Sequence, residues 1–131
     1  MSYTYEYPRP AVTADIMVWD HHDPHHPRIL LIQRKAPPFK DMWALPGGFI
    51  NMDETLEEAA RRELKEETGI QGGKLVKFDT YDAPGRDPRG RTITQVFSLE
   101  WRPEMGVPKA DDDAKDERWF EVHDLPELGF D

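Results

Sequence analysis

Three glutamates within five residues offer chemistry that packing alone does not require. Glu63, Glu66 and Glu67 lie in the segment 56–68, LEEAARRELKEET, whose apolar residues recur at helical spacing. At about 100° per residue, Leu56, Ala59, Ala60 and Leu64 share the face that should pack on a sheet. Glu58, Arg61 and Lys65 fall opposite, yet Glu63 and Glu67 land inside the apolar arc and Glu66 at its edge. Carboxylates one turn apart repel by about 1 kcal/mol in water and by several at lower effective dielectric. They also sit toward the helix C-terminus, where the macrodipole disfavours negative charge. Two readings fit. The acidic end is simply solvated, or a divalent cation sits among the carboxylates. Hard cations such as Mg2+ take oxygen ligands and commonly add substrate phosphate.

The surrounding chain supplies the elements that would position these acids. Thr55 and Glu58 form a capping box at the helix start, and Gly69 stands where a helix C-terminal glycine belongs. Residues 11–19, 28–34, 74–82, 91–101 and 118–122 read as strands, with a further short strand around Trp43-Ala44-Leu45 between two loops. The stretch HHDPHHP at 21–27 reads as a hairpin loop, because its prolines resist strand interiors. Its four histidines resemble a metal tract by count only. Gly47-Gly48 is either a tight turn or a place where a backbone carbonyl approaches a ligand. Helix and strands interleave in one short chain, so the fold class is α/β or mixed α+β with a mixed sheet.

The chain has 131 residues, which suits one domain spanning 1–131. Seventeen Lys and Arg against 26 Asp and Glu give a formal charge of −9. That balance opposes binding to nucleic acid, which rests on phosphate neutralisation, and docking on an anionic membrane. There is no Cys, which excludes a disulfide framework, a thiolate zinc site and a Cys nucleophile. No apolar run approaches the roughly 20 residues of a membrane span. A cytoplasmic setting is the expectation.

Residues 48–70, GFINMDETLEEAARRELKEETGI, resemble the signature of Nudix hydrolases, G-x5-E-x7-R-E-U-x-E-E-x-G-U with U a bulky aliphatic. Every specified position is met, by Gly48, Glu54, Arg62, Glu63, Leu64, Glu66, Glu67, Gly69 and Ile70. The resemblance implies an α/β/α sandwich with a mixed sheet and a Mg2+- or Mn2+-dependent hydrolase of nucleoside diphosphates linked to another moiety. It further implies Glu63, Glu66, Glu67 and the Gly47 carbonyl as metal ligands. Glu54 and Arg62 would form an ion pair fixing the loop against the helix, with Gly48 and Gly69 in structural roles. The catalytic base would be Glu63 within the motif, or Glu117 or the run Asp111–Asp113 outside it. A solvated turn is the plainer reading of that run.

Flanking segments, RKAPPFKDMWALPGGFI before the signature and PGRDPRGRTIT after it, resemble the ADP-ribose pyrophosphatase branch. Arg86, Arg89 and Arg91 put three cations on one loop. Arginine suits bidentate phosphate recognition, although Asp87 and nearby acids could simply pair with them. Phe39, Trp43 and Tyr3, Tyr5 and Tyr7 could stack an adenine, with core packing the plainer role for Trp43. Relatives in this branch usually continue into a C-terminal helix, whereas this sequence stops at Asp131, so a homodimer covering the sheet is a further expectation. A rival class is a non-catalytic ADP-ribose sensor. Sensors of this kind work through an added DNA-binding domain and can lose signature carboxylates, all of which are present here.

Overall fold

Alternating apolar residues and one well-capped amphipathic segment produce a seven-stranded mixed sheet with one α-helix on it. The structure, a computed structural model, describes residues 6–35, 37, 39–108 and 117–129. Its strands are β1 (Ala11–Asp20), β2 (Arg28–Gln33), β3 (Trp43–Ala44), β4 (Gly47–Phe49), β5 (Val76–Tyr81), β6 (Thr92–Glu100) and β7 (Glu117–Glu121). The helix α1 is Leu56–Thr68. Tyr3, Tyr5 and Asp111–Asp113 lie outside the described residues.

The centre of the sheet is the parallel pair β1–β6, in register from Ala11↔Thr92 to Trp19↔Glu100. Every other pairing between these strands is antiparallel, with β5 beyond β6 and β7 and β3 on β2. The second edge of β1 is divided. β4 pairs Thr13–Asp15, and β2 pairs only Trp19 and Asp20. Between those two contacts β1 and β2 are not paired, and on the face opposite α1 the sheet floors a cleft lined by residues of β1, β2 and β6.

Helix α1 forms where the sequence predicts it. Thr55 and Glu58 close the capping box in both directions, at 3.1 and 2.9 Å. Gly69 ends the helix at φ 80° with its N–H on the Lys65 carbonyl. The buried residues Ala59, Ala60 and Leu64 pack on Ala14, Ile16, Val18, Leu30, Phe97 and Leu99 of the sheet. Fully burying each of the larger aliphatic or aromatic side chains contributes roughly 1.5–3 kcal/mol. That packing fixes the helix against β1 and β4.

Mixed sheet and helical layer agree with the sequence reading. Among the described residues no α-helix covers the opposite face, which carries the 3-10 turn Val122–Asp124 and the segment 125–129. The segment after Leu45 was expected as a loop and is strand β4. Its glycines explain the difference. A Cβ on Gly47 would lie 2.1 Å from Asp15 Oδ1 and 2.4 Å from the Ala14 carbonyl. Only a bare backbone pairs that closely with β1, and a three-residue strand carries too little periodicity to be read.

Candidate active site

The site lies where β4, α1 and the loop 82–91 meet. Gly48 carries no side chain, and the Glu63 carboxylate occupies the vacated space, with its Cδ 2.8 Å from where a Cβ would stand. One turn on, Glu67 Oε1 accepts the Gly47 N–H at 2.8 Å. The inward acids of α1 thus lie directly on the glycine strand. Glu66 is more exposed, at 60%, and lies 3.4 Å from Arg62 Nη1.

Arg62 ties the segment together. It donates to both carboxylate oxygens of Glu54 at 2.5 and 2.9 Å, to Glu63 Oε1 at 2.7 Å and to the Phe49 carbonyl at 3.1 Å. Glu54 in turn accepts the Asn51 N–H at 2.8 Å. Hydrogen bonds from Arg62 hold the Glu54 carboxyl below its usual range, and those to Glu54 and Glu63 raise the guanidinium above its own. The loop between β4 and α1 is therefore pinned to the helix by a fork of charge-assisted bonds.

Two acids nearby are pushed up, chiefly by burial. Burial pushes Glu67 up to about 8; the Gly47 N–H opposes this, while Glu63, Asp15 and Glu66 add to it. Burial likewise pushes Asp15 up to about 7, against Arg86 and with Glu63. Buried like charges disfavour ionisation in this way. Among the described residues no three His, Asp or Glu side chains converge as a metal cage. Glu63 and Glu66 turn toward Arg62, and Glu67 toward Gly47.

A polar cavity of ≈ 210 Å³ opens beside these acids, walled by Gly47, Glu67, Arg34, Arg86, Asp87 and Arg89 among others. Arg89 is locked by the buried Asp87, with Nη2 to Oδ2 at 2.7 Å, and lies 4.8 Å over the Phe49 ring. Arg86 donates to Thr94 Oγ1 at 2.9 Å, and that hydroxyl meets Thr13 Oγ1 at 2.6 Å. Arg91 instead turns to the Asp82 carbonyl and lines neither cavity of the cleft. An apolar cavity of ≈ 320 Å³ adjoins the polar one on the sheet face opposite α1, lined by Met17, Trp19, Ile29, Leu31, Val96 and Leu128 among others.

Other sequence candidates take different places. Phe39 packs against Gly129, a wall residue of the apolar cavity, and holds φ 61°. Trp43 packs edge-on against Phe120, with ring centroids 5.0 Å apart. Glu117 is buried in β7 opposite Ile32 and lines neither cavity, although Ile32 lines the polar one. His21 pairs with Glu100 at 2.7 Å, and His26 lies 3.6 Å from Glu121. Two cleft residues escape the sequence reading, Asp15 and Arg34. The signal for Asp15 was a lone acid inside the apolar alternation of 11–19. Arg34 follows Gln33 at the close of the segment 28–34, where a cation reads as an ordinary strand end.

Comparison with known proteins agrees with this geometry. The sequence profile of the NUDIX domain matches residues 9–131. The chain is 45% identical over 125 residues to the ADP-ribose pyrophosphatase of Methanocaldococcus jannaschii, covering 95% of this chain and 70% of that protein. The NUDIX domain of Shewanella oneidensis NrtR, solved with ADP ribose, superposes with a TM-score of 0.81 at 29% identity, covering 95% of this chain and 82% of that one. A MutT/nudix family protein from Enterococcus faecalis superposes at 0.78 with 36% identity over 92% of this chain, which spans only 47% of it. A glycine strand bearing the inward acids of one helix, an arginine fork pinning their loop and a matching profile lead to one conclusion: the chain belongs to the Nudix family, as one of its pyrophosphohydrolases.

Proposed function

We propose that the chain hydrolyses a nucleoside diphosphate linked to another moiety, with ADP-ribose converted to AMP and ribose 5-phosphate, using Mg2+ or Mn2+. The observation that carries this reading is the two-part cleft. A polar compartment with Arg86 and Arg89 suits a diphosphate, and the adjoining apolar compartment suits a base. The substrate of the Methanocaldococcus jannaschii relative and the ADP ribose bound by the NrtR domain support the choice of substrate.

The donor set fits a hard dication. Glu63, Glu66, Glu67 and the Gly47 carbonyl offer only oxygen, and burial with the added push of neighbouring acids, which takes Glu67 up to about 8, is a load a dication relieves. When bound, such a cation neutralises phosphate charge and lowers the pKa of its water. The chain's own groups do the rest. Arg86 and Arg89 grip the diphosphate, while Asp87 keeps Arg89 oriented. A carboxylate takes the proton of the attacking water as its oxygen bonds phosphorus and the bridging P–O bond breaks, which contributes roughly 10²–10⁴ in rate. Of the two candidate bases, Glu63 rests on Gly48 of the cleft wall. Glu117, one strand away, is the second candidate.

The test is a panel of ADP-ribose, other nucleoside diphosphate derivatives and oxidised nucleotides with Mg2+ and Mn2+, read as kcat/KM. ADP-ribose ranking low would overturn the substrate choice. A sensing role is the second reading, favoured by 39% identity over 94 residues, 70% of this chain and 37% of that protein, to the ADPR responsive transcriptional repressor NtrR of Acinetobacter baylyi. Tight ADP-ribose binding without metal-stimulated turnover would select it.

A further inference from the structure

The polar and apolar compartments share five wall residues, Asp15, Ala44, Leu45, Arg86 and Thr94. Ala44 and Leu45 have no side-chain polarity, and Arg86 only donates. Thr94 Oγ1 already takes the Arg86 Nη1 bond and meets Thr13. Asp15 differs. Among the described residues no donor hydrogen-bonds its carboxylate, which lies in the fields of Arg86 and Arg89. Gly47 keeps the carboxylate's space open, since a Cβ there would stand 2.1 Å from Asp15 Oδ1.

A nucleoside diphosphate with its phosphates beside Arg86 and Arg89 and its base in the apolar compartment must cross this junction with its ribose. Ribose presents two adjacent hydroxyl donors. A carboxylate has acceptors for both, and acidic residues of dinucleotide-binding folds accept the ribose 2′-hydroxyl. We propose that Asp15 reads the 2′,3′-diol of the nucleoside ribose and makes the enzyme selective for ribonucleoside over 2′-deoxyribonucleoside diphosphates. This rests on the nucleoside diphosphate reading above. An Asp15 that only balances Arg86 would leave sugar preference untouched.

The experiment compares ADP-ribose with its analogue lacking the adenosine 2′-hydroxyl, in the wild type, Asp15→Asn and Asp15→Ala. It reads kcat/KM with Mg2+ and, separately, Kd by calorimetry in EDTA. The wild type should prefer ADP-ribose by about tenfold or more, because an unmet hydroxyl partner is costly. The preference should fall to about one in Asp15→Ala and narrow in Asp15→Asn, which preserves shape if the alanine variant fails to fold. A wild type without preference, or variants that keep it in full, overturns the role of Asp15 while ADP-ribose turnover leaves the proposed function standing. Failure of the wild type to cleave any nucleoside diphosphate derivative instead removes the function, and the calorimetric ratio still decides the sugar contact.

Discussion

Replacing Glu67 with Gln should stabilise the protein in EDTA at alkaline pH while abolishing most turnover. The ordinary value of its carboxyl is 4.5, and burial above all, with neighbouring acids, pushes it up to about 8. The folded chain therefore holds this proton more tightly than the unfolded chain does. Stability is unaffected by the group well below pH 4.5 and is lost as pH rises through 8. Each tenfold change in proton affinity is worth about 1.4 kcal/mol, which sets a ceiling of about 5 kcal/mol. Glu67 is partly open to solvent and shares its load with Glu63 and Asp15, so about 1–3 kcal/mol is the expected gain. Gln keeps a carbonyl acceptor for the Gly47 N–H, which Glu67 holds at 2.8 Å. For a domain of this size the variant's Tm should exceed the wild type's by roughly 3–10 °C at pH 8.5, and the gap should close by pH 5. Calorimetry from pH 5 to 9 reads this directly. Added Mg2+ should raise the wild type more than the variant, because only the native acids bind it well. A variant less stable at pH 8.5, or one with the same gain at pH 5, refutes the account of crowded carboxylates.

Metal affinity should also follow pH. Glu67 near 8 and Asp15 near 7 are protonated as pH falls, and protons compete with the cation. The apparent Kd for Mg2+, titrated calorimetrically, should therefore tighten from pH 6 to pH 9, and a flat profile would contradict the assignment. Gly48→Ala should cut kcat by about tenfold or more with little loss of fold, because its Cβ would displace Glu63. Gly69→Ala meets open space at φ 80°, so it should cost about 1 kcal/mol in thermal stability and leave kcat near the wild-type value. Arg89→Ala should raise KM for ADP-ribose by about tenfold or more, because it removes a charge-assisted phosphate contact. Arg91→Ala should change KM less than twofold, since Arg91 turns to Asp82 outside the cleft.

Local signals explain what could be read in advance. The helix was legible to its ends because Thr55, Glu58 and Gly69 state its limits in their own chemistry, and the structure places each at its cap. Its misplaced acids were legible for the same reason, since a helical wheel needs no tertiary information. The long strands β1 and β6 showed their alternation. What escaped was set by pairing across the chain. β4 is too short to show a period, and its role follows from Asp15 lying opposite Gly47. Asp15 shares the cleft face of β1 with Met17 and Trp19, but only the assembled sheet sets it beside Arg34, Arg86 and Arg89. The arginine loop was half legible. Its composition announced cations, but only the fold separates Arg86 and Arg89, which face the cavity, from Arg91, which does not.

The two inward acids and the two glycines form one device. A helix that carries Glu63 and Glu67 on its packing face can approach a sheet only where the sheet offers no side chains. Gly47 and Gly48 provide that place, with an amide for Glu67 and open space for Glu63. The same bareness lets β4 close onto β1 and bring Asp15 alongside. Arg62 then supplies the nearest compensating cation, but it divides its donors among Glu54, Glu63, Glu66 and a carbonyl. One guanidinium cannot neutralise four carboxylates, and Glu67 receives none of it. The imbalance lies beside the cavity that the proposed diphosphate would enter with still more negative charge, so the proposed divalent cation would relieve it together with Arg34, Arg86 and Arg89 of the same wall.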